Sequence, residues 1–390
     1  MRFLHLGDLH IGKCVNDYSM IDDQRYILEQ ILEIVPQRQV EGVLVAGDVY
    51  DRAVPGEEAV KLLDWFLRRL AEEKVKTYLI SGNHDSDERL NFGSALFEKS
   101  GIYIASKYQG KLYRQTVEDA YGRLNIYLLP FVKASQVKCF FPEEEISSYD
   151  RAVGTVLEKA GVDKKERNLL VAHQFVAGSG EDPELGGSEN IALQTVGAVE
   201  KVGTDCFEAF DYVALGHIHS PQRVGRDTVR YAGSPLKYSL SEIRNEKSVP
   251  LVTLGPKGEV EVELVPLIPR RDMRHLKGGL VQLLDGKNIQ SPEDYIYVTL
   301  TDEDPIPDAM GIVRQFYPNT MKLDYENSHT GQAQLQPAEV LRGREKSFRE
   351  LISDFYRMMY GCDISQEELE IAREAAKEAG IAYETDETDR

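Results

Sequence analysis

Cysteine, long apolar runs and positive charge are in short supply in this chain, and each shortage excludes something. The 390 residues hold four cysteines. Cys14, Cys139, Cys206 and Cys362 lie far apart and form no C-x-x-C pair, so the pattern offers neither a disulfide framework nor a thiolate zinc site. They read as ordinary buried or incidental thiols. No run of about 18 apolar residues exists to cross a membrane. The first candidate functional residue stands so near Met1 that removal of a secretory signal would take it away, and the expectation is a cytoplasmic protein. Positive charge is short, with 46 Lys and Arg against 65 Asp and Glu, a net charge of −19. General affinity for phosphate backbones rests on many Lys and Arg contacts and is not expected here. Any nucleic-acid role needs local help from divalent cations, from a partner subunit, or from limited basic patches such as Arg68-Arg69, Lys107 to Arg114 or Arg270-Arg271. Taken singly, each patch reads as a solvated face.

What the chain does have is a series of short motifs at the ends of strand-like segments. They are Gly7-Asp8-Leu9-His10, Gly47-Asp48-Val49-Tyr50-Asp51, Gly82-Asn83-His84-Asp85, Ala172-His173-Gln174 and Gly216-His217-Ile218-His219. Arg2 to Leu6 is a short apolar strand. Apolar residues at 27, 28, 31, 32 and 35 have helical spacing, with Pro36 ending or kinking the helix. Gly42 to Ala46 is a continuous apolar run, as in a strand buried on both faces. A helix over about 57–73 and a strand at Thr77 to Ser81 continue the rhythm. Later strands at Asn125 to Phe131, Asn168 to Ala172 and Asp211 to Leu215 follow, and the last two again deliver motif residues at their carboxyl ends, the edge where sites form in α/β sheets.

The ligand chemistry follows from residue type. Aspartate, asparagine and histidine offer a mixed oxygen and nitrogen set that suits Mn²⁺, Fe²⁺ or Zn²⁺ better than Ca²⁺ or Mg²⁺. Two metals need a shared anion, and Asp48 is the candidate bridge, holding them roughly 3.5–4 Å apart. Asp8, His10 and His219 complete one set; Asn83, His173 and His217 complete the other. In Asp8-x-His10 and His217-x-His219 a two-residue spacing on an extended strand end puts both side chains on one face. A lone His or Asp after a strand is most often a turn residue, but five motifs in order at strand ends are not a coincidence of turns. A water between two such cations loses a proton near neutral pH and can attack phosphorus opposite the leaving oxygen. His84 is placed to contact the phosphate or protonate that oxygen, with Asp85 orienting its ring; the bland alternative makes His84 a structural neighbour of the site. Asp51 and Arg52 support the loop or touch substrate rather than bind metal, His5 reads as a core histidine, and His275 and His329 receive no role.

The organisation beyond the motifs is coarser. From Val229 to Leu267 short strands and tight turns suggest a second, antiparallel layer completing a sandwich with outer helices. A first domain over 1–268 is followed by a linker at Pro269 to Asp272, a small α+β domain over 277–330, a helical segment over 338–381 and a disordered tail over 382–390. In the helical segment Phe348, Leu351, Ile352, Phe355 and Met359 share a face, and a second helix opens at Ser365 with Glu368 completing a capping box and Gly380 closing it. An apolar stripe of this kind usually packs on its own chain. The loop from Ala177 to Asn190, rich in glycine and acids, orders on substrate or partner binding or is a mobile surface loop.

These residues resemble the calcineurin-like metallophosphoesterase family, whose motif series D-x-H, GD-x-x-D, GNH-D/E, H and GH-x-H is matched position for position. Tyr50 to Pro55, Ser81 to Ser86 and Tyr231 to Leu236 look like the nuclease subunits of a bacterial DNA-repair complex within it, over essentially the whole chain. The resemblance implies a four-layer α/β sandwich of two mixed β-sheets flanked by helices, a capping domain and a C-terminal helical hairpin. It also implies an Mn²⁺-dependent exonuclease and endonuclease acting on double-stranded DNA ends, hairpins and blocked ends. Such a subunit works as a dimer within a heterotetramer, its C-terminal helices bound to an SMC-like ABC ATPase, which gives the stripe from Phe348 to Met359 a partner. Asp87 departs from the pattern, standing where related sequences often have proline. The alternatives are a phosphoesterase for cyclic nucleotides or phosphoproteins, against which the long C-terminal extension counts, and a non-catalytic scaffold, against which the filled ligand positions count.

Overall fold

The computed structural model describes residues 1–178, 183–184, 201–328, 352–353, 356 and 364–378. Two mixed sheets of six strands each dominate it. The first is built on β1 (Arg2–Leu6), β2 (Gly42–Ala46), β3 (Lys76–Ile80) and β4 (Ile102–Ala105), all parallel. The second contains β5 (Tyr113–Asp119), β6 (Gly122–Leu129), β7 (Arg167–His173), β8 (Tyr212–Gly216), β9 (Gln222–Val224) and β10 (Arg226–Tyr231), in the order β9-β10-β8-β7-β6-β5. Strands β11 (Ser248–Leu254) and β12 (Val260–Pro266) complete the first sheet, in the order β12-β11-β1-β2-β3-β4.

This corrects one expectation. The strands between Val229 and Leu267 do not form a layer of their own. β10 joins the second sheet parallel to β8, whereas β11 adds to the first sheet antiparallel to β1 and β12 pairs antiparallel with β11. The reason is edge coverage: β1 would otherwise leave a row of backbone N–H and C=O groups unpaired on the side away from β2.

Strand alternation produces the layers. Phe3, Leu44, Ala46, Tyr78 and Ile80 face inward and meet Leu124, Ile126, Leu128, Leu169 and Val171 of the other sheet in an inner core. The alternate residues Leu4, Leu6, Val43, Val45 and Leu79 face outward and pack with Ile27, Ile31, Leu62 and Phe66 of helices α1 (Ile21–Gln37) and α2 (Glu57–Glu72). On the far side, Leu170, Ala172, Val213 and Leu215 pack with Val153 and Val156 of helix α3 (Tyr149–Ala160). The result is helix, sheet, sheet, helix. Pro36 lies in the last turn of α1, which ends one residue later. His5 is a core histidine, its Nδ1 3.0 Å from the Tyr212 hydroxyl and its Nε2 3.1 Å from Leu215 O, with burial pulling its pKa down to about 3.

Beyond Pro266 a three-stranded sheet comprises β13 (Met273–Gly278), β14 (Tyr295–Leu300) and β15 (Thr320–Tyr325). The chain forms two compact units: Met1–Leu276 with Gly286–Val298 and Met310–Leu323, and Lys277–Asp285 with Thr299–Ala309 and Asp324–Arg390. The division does not follow a continuous stretch over 277–330. In the first unit the Tyr295 hydroxyl donates to Asp23 at 2.7 Å, and Arg271 bonds the same carboxylate. In the second, Leu280 N donates to Asp302 at 2.8 Å. Backbone bonds from Glu326 N to Leu300 O (2.8 Å) and from Thr301 N to Gly278 O (3.1 Å) tie the strand ends of this unit together.

Helix α4 (Gln366–Glu378) carries the expected capping box, with Glu368 N donating to Ser365 Oγ (3.3 Å) and Ser365 N to Glu368 Oε2 (2.9 Å). Ile352 is helical; Phe348, Leu351, Phe355, Met359, Gly380, the tail over 382–390 and most of the loop over 177–190 lie outside the described residues. Cys14, Cys139 and Cys206 are free thiols. No helix among the described residues is long and apolar enough to cross a membrane.

Candidate metal centre

The carboxyl ends of β1, β2 and β3 meet those of β7 and β8, and the approach is close enough to demand glycine. A Cβ on Gly216 would stand 1.9 Å from Ala46 O, and one on Gly82 would stand 2.1 Å from Asp48 Oδ1. The two sheets are bound there by hydrogen bonds: His217 N donates to Asp8 Oδ1 at 2.8 Å, and His173 Nδ1 lies 2.7 Å from Ala46 O.

The structure brings all seven expected ligand residues together. In one set, His10 Nε2 lies 3.1 Å from His219 Nε2, and donor atoms of Asp8, His10 and His219 all fall within 4.8 Å of one another. In the other, Asn83 Oδ1 lies 3.0 Å from both His173 Nε2 and His217 Nδ1. Asp48 Oδ2 stands between them, 3.6 Å from His10 Nε2 and 3.4 Å from His173 Nε2. The donor set fits divalent cations: nitrogen and oxygen lone pairs converge, and the buried Asp8 Oδ2 has no hydrogen-bond partner among the described residues. An orphaned carboxylate oxygen is costly unless something positive satisfies it.

The convergence does not come from extended backbone, as the two-residue spacing suggested. Asp8, His10 and Asp48 have φ of 52°, 43° and 47°, and His217 has 101°. These are left-handed conformations that cost non-glycine residues energy and persist where surrounding bonds fix them. Gln24 supplies some of that fixing, its amide donating to His10 O (2.8 Å) and to the Tyr238 hydroxyl (3.0 Å) while its oxygen accepts from Gly12 N (2.9 Å).

Two of the rings, His173 and His219, are oriented by their other nitrogen. His173 is held by Ala46 O, leaving Nε2 to face the site. His219 Nδ1 lies 3.2 Å from Glu242 Oε1, and Glu242 in turn takes Lys247 Nζ at 2.6 Å and the Ser234 hydroxyl at 3.2 Å, all buried. Such carboxylate partners fix the tautomer and raise ligand basicity. His10 Nδ1 lies 3.5 Å from Asp51 Oδ1, which also takes Lys13 Nζ at 2.7 Å. Asp51 thus backs a ligand ring. Glu242, Lys247 and Gln24 were missed by the motif series; none belongs to a motif, and Glu242 stands 23 residues from the ring it supports. Glu242→Gln is expected to lower metal affinity or activity about 10- to 100-fold, read by metal titration; wild-type affinity in the variant would contradict the assignment.

Asp85 has a different task from the one expected. Its carboxylate accepts from Val49 N (3.0 Å), Tyr50 N (2.9 Å) and Gly82 N (2.9 Å), clamping the loops after β2 and β3 together. The His84 ring instead sets its Nδ1 3.3 Å from Asp51 O and lies edge-on to His10 with centroids 5.0 Å apart. The His84 amide donates to Asp48 Oδ1 at 2.9 Å while its side chain is exposed at the mouth of the site.

Electrostatically the donors divide. Burial pulls His10 down to about 4 and His217 to about 3, and pushes the Asp8 carboxyl up to about 6. For His173 burial also disfavours charge, but the carboxylates of Asp48 and Asp8 prevail and raise it to about 9. Asp48 is held well below the usual carboxylate range, its burial outweighed by His173 and His10. A cation bound here takes the place of the proton on His173.

Residues 1–221 match the calcineurin-like phosphoesterase family, and residues 269–360 match a domain described as the type 5 capsule protein repressor C-terminal domain. The chain is 29% identical over 375 residues to the SbcD component of the SbcCD nuclease from Staphylococcus epidermidis, covering 94% of this chain and 95% of that one. Among solved structures, a dimetal phosphatase from Danio rerio matches with 12% identity and a TM-score of 0.40, over 69% of this chain and 96% of that one. A 5'-nucleotidase precursor from Thermus thermophilus matches with 15% identity and a TM-score of 0.34, over 68% and 54%.

Proposed function

Because the chain belongs to the calcineurin-like phosphoesterase family, we propose that it is the nuclease subunit of an SbcCD-type complex, cleaving phosphodiesters of double-stranded DNA at ends, hairpins and blocked ends. The observation that carries the hydrolytic part is the pair of donor sets sharing Asp48. Two divalent cations, Mn²⁺ foremost given the mixed nitrogen and oxygen donors, would be held by Asp8, His10, Asp48 and His219 and by Asp48, Asn83, His173 and His217. Such ions supply Lewis acidity and lower the pKa of water.

The chain's own residues do the rest. Asp48 fixes the spacing of the two donor sets and, through the His84 amide, the position of the loop that carries His84. With Nδ1 against Asp51 O, His84 directs Nε2 outward, where a protonated ring can give its proton to the leaving 3′ oxygen. Asp85 keeps the two loops in register. Likeness to the Staphylococcus epidermidis nuclease over 94% of the chain supports the reading of DNA as substrate and of an SMC-like ABC ATPase as partner. Binding of that ATPase by the C-terminal helices, dimerisation within a heterotetramer and action in the cytoplasm belong to the same proposal.

The test is degradation of a labelled linear duplex by the purified chain in Mn²⁺, repeated with EDTA. Manganese-dependent cleavage abolished by the chelator is expected. Intact DNA alongside hydrolysis of a generic phosphodiester, unchanged when the ATPase is added, would remove DNA as the substrate.

A further inference from the structure

A groove of about 690 Å³ runs along the edge of the second sheet, and its lining is basic in a chain of net charge −19. Lys107, Lys111, Arg114 and Lys159 line it against one carboxylate, Glu98, and that carboxylate accepts from the Tyr113 hydroxyl at 3.0 Å. Two of the cations are anchored, Lys107 to Glu88 at 3.4 Å and Lys159 to Glu144 at 2.7 Å. The exposed side chains of Lys111 and Arg114 bond no described residue. Buried Tyr108, Leu112 and Tyr127 share the lining, so the cationic groups border a concave, partly apolar surface rather than a convex solvated face.

Position links this groove to the metal centre. A second cavity, of about 630 Å³, counts Asn83 and His217 together with Asp87 and Glu88 in its lining. Glu88, on the short helix that follows His84 and Asp85, is the residue that Lys107 bonds, so one ion pair links the linings of the two concavities.

We propose that the groove around Lys107, Lys111, Arg114 and Lys159 seats the phosphate backbone of the DNA substrate beside the metal centre, with Lys111 and Arg114 as the contacting cations. This rests on the nuclease reading above. Phosphate contacts position a duplex without reading its sequence, and each adds about 0.9 to the slope of log affinity against log salt. It also explains how a strongly acidic chain engages a polyanion: local cations do what the net charge cannot.

The experiment compares wild type, Lys111→Ala/Arg114→Ala and the charge-keeping Lys111→Arg/Arg114→Lys in duplex DNA binding over a salt series, and in hydrolysis of bis(p-nitrophenyl) phosphate. The alanine pair should lower the salt slope by about 2 and raise KM for DNA, with turnover of the small diester unchanged; the charge-keeping pair should retain the wild-type slope. An unchanged slope in the alanine pair, or equal losses in both pairs, overturns the groove assignment. Failure of the wild type to hydrolyse either substrate overturns the nuclease reading instead.

Discussion

Asp48→Asn is expected to lower phosphodiester turnover by on the order of 10³-fold or more and to deplete metal from both donor sets. The carboxylate Oδ2 stands 3.6 Å from His10 Nε2 and 3.4 Å from His173 Nε2, so it is shared by the two sets. Asparagine keeps the shape and an oxygen that can still accept from the His84 amide, but not the negative charge that would hold two cations together. Losing several kcal/mol of electrostatic stabilisation corresponds to about three or more powers of ten in rate. Metal content of the purified variant and its turnover of bis(p-nitrophenyl) phosphate check this directly. Wild-type metal content with wild-type turnover would show that Asp48 does not bridge.

His84→Ala should behave differently. Its link to Asp48 runs through the backbone N–H, which the substitution leaves in place, and its exposed ring is outside both donor sets. Metal content should therefore stay at the wild-type level while DNA cleavage falls about 10²- to 10⁴-fold, the usual contribution of a positioned acid or base. Leaving-group dependence separates this role from a structural one. A nucleic-acid 3′ alkoxide needs a proton as it departs, whereas p-nitrophenolate is a stable anion, so hydrolysis of bis(p-nitrophenyl) phosphate should suffer much less than DNA cleavage. Equal losses on the two substrates would contradict the acid role, and metal loss equal to that of Asp48→Asn would place His84 among the ligands.

That Asp8, His10, Asp48, Asn83, His173, His217 and His219 come together was legible because they sit in short motifs directly after apolar strands, and strand ends can be read from local pattern. How they converge was not. The spacing of Asp8 and His10 suggested an extended backbone, but both lie in the left-handed region, which Asp and His enter more readily than most residues but which their spacing does not announce. Glu242 was invisible for another reason: a buried carboxylate on a short turn looks like any surface acid until the fold sets it 3.2 Å from His219 Nδ1. The same holds for Asp85, whose nearness to His84 in sequence suggested a partner for the ring. Its three acceptor bonds to backbone N–H groups of two loops depend on long-range geometry. At the level of the sheets, strand positions were readable from apolar runs, but the allocation of β11 and β12 to the first sheet depends on an edge that exists only after β1 to β4 have paired.

The most direct measurement of the shared-carboxylate centre is electron paramagnetic resonance of the purified chain titrated with Mn²⁺, with metal content determined in parallel. Two ions per chain and an exchange-coupled spectrum, lost in Asp48→Asn and kept in His84→Ala, are the expected result. A single ion per chain, or two ions showing no coupling, would contradict a centre built on Asp48.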